Sequence, residues 1–178
     1  MISFSNPENN IEQFGIMEGM NIADIGAGSG FYALALARKV GDSGKIYAID
    51  VQQDLLIRLK SEASNKKLFN VEIIWGDAEK LGGTKLGDHS MDMALVSNIL
   101  FQVENKERFA DEVQRITKIG GKIVLIDWSD SFGGMGPQEK DVLGKEAAVL
   151  LFRKRNFVLE KEVDVGSHHY GIILKKES

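Results

Sequence analysis

A glycine-rich turn after a short apolar run is the part of this sequence best suited to chemistry. Gly26, Gly28 and Gly30 lie in the segment NIADIGAGSGFYALALA, between a strand-like stretch and a helix-like stretch. In α/β proteins such a turn places backbone N–H groups at a helix N-terminus, where they bind nucleotide-like ligands. A turn that only joins the strand to the helix is the simpler alternative. The pattern predicts a cofactor site.

The spacing of these glycines favours one class of cofactor. Dinucleotide-binding loops follow the pattern G-x-G-x-x-G, whereas this loop reads G-x-G-x-G and has Phe31 at the place of the third glycine. Asp24 lies before the turn, where its carboxylate could hold an ammonium group. Asp50 ends the next strand and is placed to accept hydrogen bonds from both ribose hydroxyls. S-adenosylmethionine has an ammonium group, and nicotinamide dinucleotides have none.

Three ordered segments then resemble a known family. DIGAGSG, AID and WGDAE resemble motif one, the acidic post-loop and the adenine-contacting motif of class I S-adenosylmethionine-dependent methyltransferases, over roughly Asn21 to Trp128. SNILFQV resembles the corresponding segment of the small-molecule enzymes that act on quinone and sterol precursors. The chain departs from them at Leu100 and Phe101, where a histidine pair is common. The resemblance implies S-adenosylmethionine as cofactor and in-line methyl transfer to a small-molecule acceptor.

The resemblance also assigns cofactor contacts residue by residue. Asp77 would accept a hydrogen bond from the adenine amino group, although an aspartate there could also cap a helix. Ser97 and Asn98 would border the methionine moiety, and a turn that ends the strand is the alternative for them. The implied cofactor-binding residues are Asp24, Gly26, Ala27, Gly28, Gly30, Asp50, Val51, Gly76, Asp77, Ala78, Ser97 and Asn98.

Candidates for the acceptor side come from their predicted place at the same sheet edge. His168 or His169 could take a proton from a phenol, enol or amine, because histidine titrates near neutral pH. Asp127 or Tyr170 could orient the acceptor. Strict alternation would put His168 and Tyr170 on one sheet face and His169 on the other. A glycine-rich loop with Gly133, Gly134 and Gly136 follows this strand and could act as a lid or as a plain connection.

These residues require an alternating order of strands and helices. The predicted strands are Ile22–Ile25, Lys45–Asp50, Val71–Trp75, Met91–Ser97, Lys122–Trp128, Phe157–Val165 and His169–Lys176. The predicted helices are Phe31–Val40, Asp54–Ala63, Lys106–Ile119 and Gln138–Arg155, the last beginning after Pro137.

The predicted fold class is α/β, a Rossmann-like seven-stranded and mostly parallel sheet with helices on both faces. Gly166 and Ser167 predict a tight hairpin, so the last strand would run antiparallel, as it does in the methyltransferase family. Before the first strand, residues 1–20 could cover the cofactor, with one helix over Asn10 to Ile16. His89 is expected at the opposite edge of the sheet, facing solvent.

Length and composition predict a single domain over residues 1–178 of a protein in the cytoplasm. The net charge of −4 disfavours a nucleic-acid substrate, and the absence of cysteine excludes thiolate chemistry and disulfides. We find neither a signal peptide nor a membrane span. Three alternatives stay open, namely a non-catalytic S-adenosylmethionine-binding module, a protein or RNA methyltransferase, and a nicotinamide oxidoreductase. The oligomeric state is left open.

Overall fold

The computed structural model describes residues 6–131 and 136–178. Its framework is one seven-stranded sheet with the strand order β3-β2-β1-β4-β5-β7-β6. The strands are β1 (Asn21–Ile25), β2 (Lys45–Asp50), β3 (Val71–Trp75), β4 (Met91–Ser97), β5 (Thr117–Trp128), β6 (Phe157–Val163) and β7 (His169–Lys176). Strand β1 lies between β2 and β4, whose carboxyl ends carry other predicted site residues.

Helices cover both faces of this sheet. They are α1 (Pro7–Asn10), α2 (Phe31–Val40), α3 (Gln53–Asn65), α4 (Lys106–Ile116) and α5 (Lys145–Arg153). One apolar cluster joins the sheet to α4 and α5, and a second joins its other face to α2, α3 and the N-terminal segment. Among the residues that the structure describes, we find no helix both long and apolar enough to cross a membrane.

The reversed last strand is confirmed. β7 pairs antiparallel with β5 and with β6, whereas β1 to β5 pair in parallel. β6 therefore runs in the same direction as the parallel strands, and the β6–β7 connection lies at their carboxyl edge. In open α/β sheets this edge is where ligands bind.

The predicted boundary between α4 and β5 is wrong by several residues. The helix ends at Ile116, because Thr117 has an extended backbone with φ −78° and ψ 131°. The Thr117 hydroxyl donates to the Val113 carbonyl, at 2.7 Å, and Thr117 pairs with Met91 across the sheet. Residues 117–121, predicted as helix end and turn, thus form the irregular start of β5.

Two predicted helices are also shorter than expected. Pro137 does not begin a helix, since the chain makes a 3-10 turn over Glu139–Asp141 and α5 begins at Lys145, after extended Gly144. In the N-terminal segment, the Asn6 side chain caps α1, and the helix gives way to a 3-10 turn over Ile11–Gln13. The expected helix over Asn10 to Ile16 is therefore wrong.

The connection between β6 and β7 is longer than a tight hairpin. β6 ends at Val163, and residues 164–168 form the loop. His168 lies in this loop with φ 69°, and only His169 and Tyr170 belong to β7. The predicted alternation therefore does not apply to His168. His89 is exposed, as expected, although its Nδ1 lies 3.1 Å from the Thr117 carbonyl oxygen.

Candidate functional site

The glycine-rich turn is tied to the end of the neighbouring strand β2. The N–H groups of Gly26 and Ala27 both donate to the Ile49 carbonyl, at 2.8 and 3.0 Å. A Cβ added to Gly30, whose φ is 80°, would lie 2.1 Å from Cδ1 of Leu59 in α3. Gly30 therefore allows α2 to begin close against α3, as the third glycine does for packing in dinucleotide loops.

Asp50 is held by backbone donors at the end of β2. Its Oδ2 accepts from the Gly28 N–H and its Oδ1 from the Gln52 N–H, both at 2.8 Å. The residue is 7% exposed and lines a cavity of about 400 Å³. Because each carboxylate oxygen can accept two hydrogen bonds, both retain a lone pair for a ligand hydroxyl. The side chain is suited to bind a ribose diol.

The wall of this first cavity opposite the glycine turn comes from the segment after β3. Asp77 makes a local turn there, in which its Oδ1 accepts from the Glu79 N–H at 3.0 Å. No helix begins at this point in the described chain, so Asp77 is not a helix cap. The hydrogen bond from Lys80 lowers the pKa of the Asp77 carboxyl. The cavity is lined, among the predicted residues, by Gly26, Gly28, Asp50, Val51, Gly76, Asp77, Ala78, Ser97 and Asn98.

A second cavity of about 410 Å³ contains Asp24 and shares Gly26, Ser97 and Asn98 with the first. Asp24 is 2% exposed, and its Oδ2 has no hydrogen-bond partner. Burial raises the pKa of this carboxyl to about 7, although the Ala33 backbone N–H lowers it. Such a buried acceptor calls for a ligand that brings its own donors and a positive charge.

Asn98 provides a second acceptor at the same place. Its side-chain Oδ1 is likewise buried and unpartnered, which within residues 6–131 and 136–178 is true of just these two side chains. Asn98 has φ 57°, a left-handed conformation that short polar residues tolerate, and its N–H donates to Ile126 at 2.8 Å. Both residues line the second cavity, so the site matches an ammonium group.

Two of the four predicted catalytic residues have their polar atoms bound to backbone. The two oxygens of Asp127 accept from the N–H groups of Leu100 and Trp128, each at 2.8 Å. Burial raises the pKa of this carboxyl to about 6. The Tyr170 hydroxyl donates to the Leu143 carbonyl at 2.9 Å, and burial raises its pKa as well. Asp127 and Tyr170 lie opposite each other on β5 and β7.

The two histidines have different surroundings. Nδ1 of His168 lies 2.9 Å from a carboxylate oxygen of Asp130, in an ion pair when the ring is protonated. The His169 ring packs against Trp128 at an interplanar angle of 39°, with ring centroids 4.3 Å apart, and burial lowers the His169 pKa. A Cβ on Gly136 would lie 2.8 Å from the Trp128 ring. The predicted lid residues Gly133 and Gly134 lie outside the described residues.

The N-terminal segment lies beside the second cavity, where Pro7 is part of the lining. Its far end is bound to the β6–β7 loop, because the Gln13 side chain accepts from the Asp164 N–H at 3.0 Å and donates to the Asp164 carbonyl at 2.7 Å. Asn10 donates to the Tyr32 hydroxyl at 2.8 Å. The segment thus joins the glycine turn to the β6–β7 loop.

Several lining residues were not predicted from the sequence. Most of them lie within or beside the motif segments quoted above, and Phe109 reaches the site through the packing of α4. In the first cavity these are Ile25, Ile49, Gln52, Glu79, Ile99, Gln102, Val103 and Phe109, and in the second they are Pro7, Phe31 and Tyr32. Their position next to predicted residues is the sequence signal that could have identified most of them.

This site fits S-adenosylmethionine. Asp50 offers acceptors for the ribose, Asp24 and Asn98 each have an unpartnered oxygen and line the second cavity, and Asp77 lines the first cavity. A nicotinamide dinucleotide would bring no ammonium group, and so no charged N–H donors, to Asp24. The chemistry of the buried acceptors therefore favours the methyl donor.

Comparisons with known proteins agree. A family model described as a methyltransferase domain matches residues 16–155. A demethylmenaquinone methyltransferase of Geobacillus sp. (strain WCH70) is 21% identical over 93% of this chain and 81% of its own. A ubiquinone/menaquinone biosynthesis C-methyltransferase of Hydrogenovibrio crunogenus is 28% identical over 67% of this chain, which spans only 46% of that relative.

Solved structures give the same picture of the fold. An S-adenosylmethionine-dependent methyltransferase from Aquifex aeolicus superposes with a TM-score of 0.86 and 27% identity, over 97% of this chain and 90% of its own. The [4+2]-cyclase SpnF reaches 0.80 at 18% identity, over 96% of this chain and 80% of its own, and shows the fold alone. The predicted fold and family are confirmed. The chain belongs to the methyltransferase-domain family and has S-adenosylmethionine as its cofactor.

Proposed function

We propose that this member of the methyltransferase-domain family transfers the methyl group of S-adenosylmethionine to a small organic acceptor. The observation that carries the proposal is the pair of buried, unpartnered oxygens on Asp24 and Asn98 beside the glycine turn. The named relatives methylate quinone precursors or take part in quinone biosynthesis. An acceptor of similar chemistry, an aromatic or enolic ring, suits the net charge of −4 better than a polyanion.

The proposed work of the protein is binding and alignment. When bound, S-adenosylmethionine supplies an electrophilic methyl group. Asp24 and Asn98 hold the ammonium end, Asp50 holds the ribose, and the wall at Asp77 receives the adenine. Fixing the donor this way lets an acceptor atom approach the methyl carbon in line with the breaking C–S bond. The bonding pair stays on sulfur, so no redox partner is required.

We assign the proton-accepting role to His168 for acceptors that must lose a proton. Asp130 orients its ring through Nδ1, which is the arrangement that supports a general base. His169 is less suited because burial lowers its pKa and it packs against Trp128. Asp127 and Tyr170 then act on backbone positions rather than on the acceptor. The segment over residues 1–20 is proposed to cover the donor, within one domain spanning residues 1–178.

The two histidines form a matched pair for testing this assignment. Replacing His168 with alanine should lower turnover at least about 100-fold, the smaller effect expected when a general base is lost. His169→Ala should lower it far less. The affinity for S-adenosylhomocysteine, measured by calorimetry, should change in neither variant. Equal turnover of His168→Ala and wild type would remove His168 from the mechanism.

The acceptor itself can be found with methyl-labelled donor. The purified protein is incubated with labelled S-adenosylmethionine and a metabolite extract, and the label is followed by chromatography and mass spectrometry. We expect it in a small organic molecule, and Asp50→Ala should abolish both the label and the binding of S-adenosylhomocysteine. Label in protein or RNA would refute the small-molecule acceptor. Binding without any transfer would instead indicate a non-catalytic module, and binding of NADH alone an oxidoreductase.

A further inference from the structure

Glu112 is a charged residue on the buried face of α4, outside the lining of both cavities. It is 0% exposed, and its helix neighbours Phe109 and Ile116 belong to the apolar core. A carboxylate in such a place is costly unless it is paired and hydrogen-bonded. Its partners therefore indicate what it stabilises.

These partners belong largely to the loop that follows β3. Oε2 of Glu112 accepts from the Gly82 N–H at 2.7 Å, and Oε1 accepts from the N–H of Thr84 at 3.1 Å and from its hydroxyl. Arg115 donates to both oxygens at 2.8 and 2.9 Å. Burial raises the pKa of the Glu112 carboxyl, but the hydrogen bonds from Arg115, Thr84 and Gly82 outweigh it and lower the pKa to about 2.

The loop held by Glu112 is closed on itself by backbone hydrogen bonds. The Asp77 N–H donates to the Gly83 carbonyl at 3.1 Å, the Lys80 N–H to Asp77 at 3.1 Å, and the Gly83 N–H to Lys80 at 2.8 Å. The two ends of the loop are in close contact, since a Cβ on Gly83 would lie 2.0 Å from the Asp77 carbonyl oxygen. Residues 77–83 thus form one closed, hydrogen-bonded loop, which we call the 77–83 ring.

Glu112 binds this ring from outside the lining of both cavities. Gly82 and Thr84, whose N–H groups it accepts, flank Gly83, and Gly83 in turn accepts from Asp77. Asp77 and its neighbours Gly76, Ala78 and Glu79 line the first cavity. A change at Glu112 is therefore passed to the cavity wall through two hydrogen bonds, with no contact between Glu112 and a bound ligand.

We propose that Glu112 is a positioning residue that fixes the 77–83 ring in the conformation that selects adenine. The inference rests on the proposed function, in which Asp77 accepts from the adenine amino group. Without the Glu112 carboxylate, the N–H groups of Gly82 and Thr84 lose a common acceptor, and the ring loses its fixed orientation. The amino-acid end of the cofactor, held at Asp24, is outside the reach of this change.

The test compares two ligands that differ at one edge of the purine, in the exocyclic group and in the proton on N1. S-inosylhomocysteine has a carbonyl oxygen where S-adenosylhomocysteine has the adenine amino group. By calorimetry on the full chain, wild type should prefer S-adenosylhomocysteine at least about 10-fold, the value of one hydrogen bond to a charged acceptor. Glu112→Gln should reduce the preference below about 3-fold. Glu107→Gln, on the same helix but in exposed ion pairs with Lys154 and Arg155, should keep it.

The possible results distinguish a failure of the Glu112 inference from a failure of the proposed function. A full preference in Glu112→Gln overturns the inference, and so does an equal loss of affinity for both ligands, which indicates a general effect on the fold. If wild type binds neither ligand, the proposed function fails. If wild type binds both ligands equally, Asp77 does not recognise the amino group. The inference is then wrong, whereas binding of the methyl donor is still supported.

A milder variant decides the case if Glu112→Gln does not fold. Thr84→Val removes one donor to Glu112 and leaves the carboxylate in place. We expect it to reduce the preference part of the way and to speed amide hydrogen exchange at Gly82 and Thr84. An unchanged preference together with unchanged exchange would also overturn the inference.

Discussion

Replacing Asp24 with asparagine removes a buried negative charge while it keeps the size and shape of the side chain. Asp24 lines the second cavity and has one carboxylate oxygen unpartnered, and burial raises its pKa from the ordinary value of 3.8 to about 7. We expect the substitution to make the ligand-free protein more stable and to weaken ligand binding. The buried charge destabilises the free protein, whereas the complex needs it to bind the ammonium group.

The magnitude for the ligand-free protein follows from the pKa. A raised carboxyl pKa means that the folded state holds its proton longer than the unfolded state, so stability falls as pH rises from about 4 to about 7. Above pH 7 the full cost is present, and about three pH units at 1.36 kcal/mol each give about 4 kcal/mol. Asp24→Asn lacks this cost, so it should be more stable than wild type by up to about 4 kcal/mol at pH 8 and by about 2 kcal/mol at pH 5.

Ligand binding, unlike stability, should become weaker in Asp24→Asn. S-adenosylhomocysteine should lose about 10- to 100-fold in affinity at pH 8, the value of a hydrogen bond between charged groups. 5′-Methylthioadenosine has the adenosine and the sulfur but no amino-acid group, so its affinity should stay within about 2-fold of wild type. Urea unfolding at the two pH values and calorimetry with the two ligands measure these four quantities.

Two results would refute this reasoning. If the stability difference between Asp24→Asn and wild type were the same at pH 5 and pH 8, Asp24 would not titrate between them. If both ligands lost affinity equally, Asp24 would support the shape of the site rather than bind the ammonium group. Asp50→Ala is the contrasting variant, since it should weaken both ligands through the ribose.

Further predictions concern two other residues of the site. Gly30→Ala should destabilise the protein by about 2–4 kcal/mol in urea unfolding, from left-handed strain and the clash with Leu59. A loss below about 0.5 kcal/mol would contradict the close packing of α2 on α3. Asp127→Asn offers one acceptor oxygen to two backbone donors, so amide hydrogen exchange should become faster at Leu100 or Trp128. Unchanged exchange at both amides would show that Asp127 does not hold this turn.

Much of the sheet could be predicted because each of its first four strands has its own local pattern. β2, β3, β4 and α2 have the predicted bounds, since an apolar run bounded by turn residues identifies each of them. The error at Thr117 has a different origin. Gly120 and Gly121 resemble a helix end, but Thr117 already pairs with Met91, so the strand begins earlier. A local sequence pattern does not indicate such pairing between distant residues.

The residues of the candidate site also differ in how far their contacts could be predicted. The role of Asp50 follows from its place at the end of β2, beside the glycine turn that follows β1. Asp127 accepts from Leu100 and Tyr170 donates to Leu143, each 27 residues away, so these backbone contacts could not be predicted. Glu112 gave a weak signal, as a polar residue within the apolar stripe of α4, but its partner loop becomes visible only in three dimensions.

The hydrogen bonds between Gln13 and Asp164 join residues that are 151 positions apart. A contact of this length closes almost the whole chain, and its entropy cost is met only after the intervening strands have paired. During synthesis, the N-terminal segment emerges before the β6–β7 loop and cannot dock until that loop has formed. Of these two parts of the molecule, the earlier one thus reaches its native place only together with the later one.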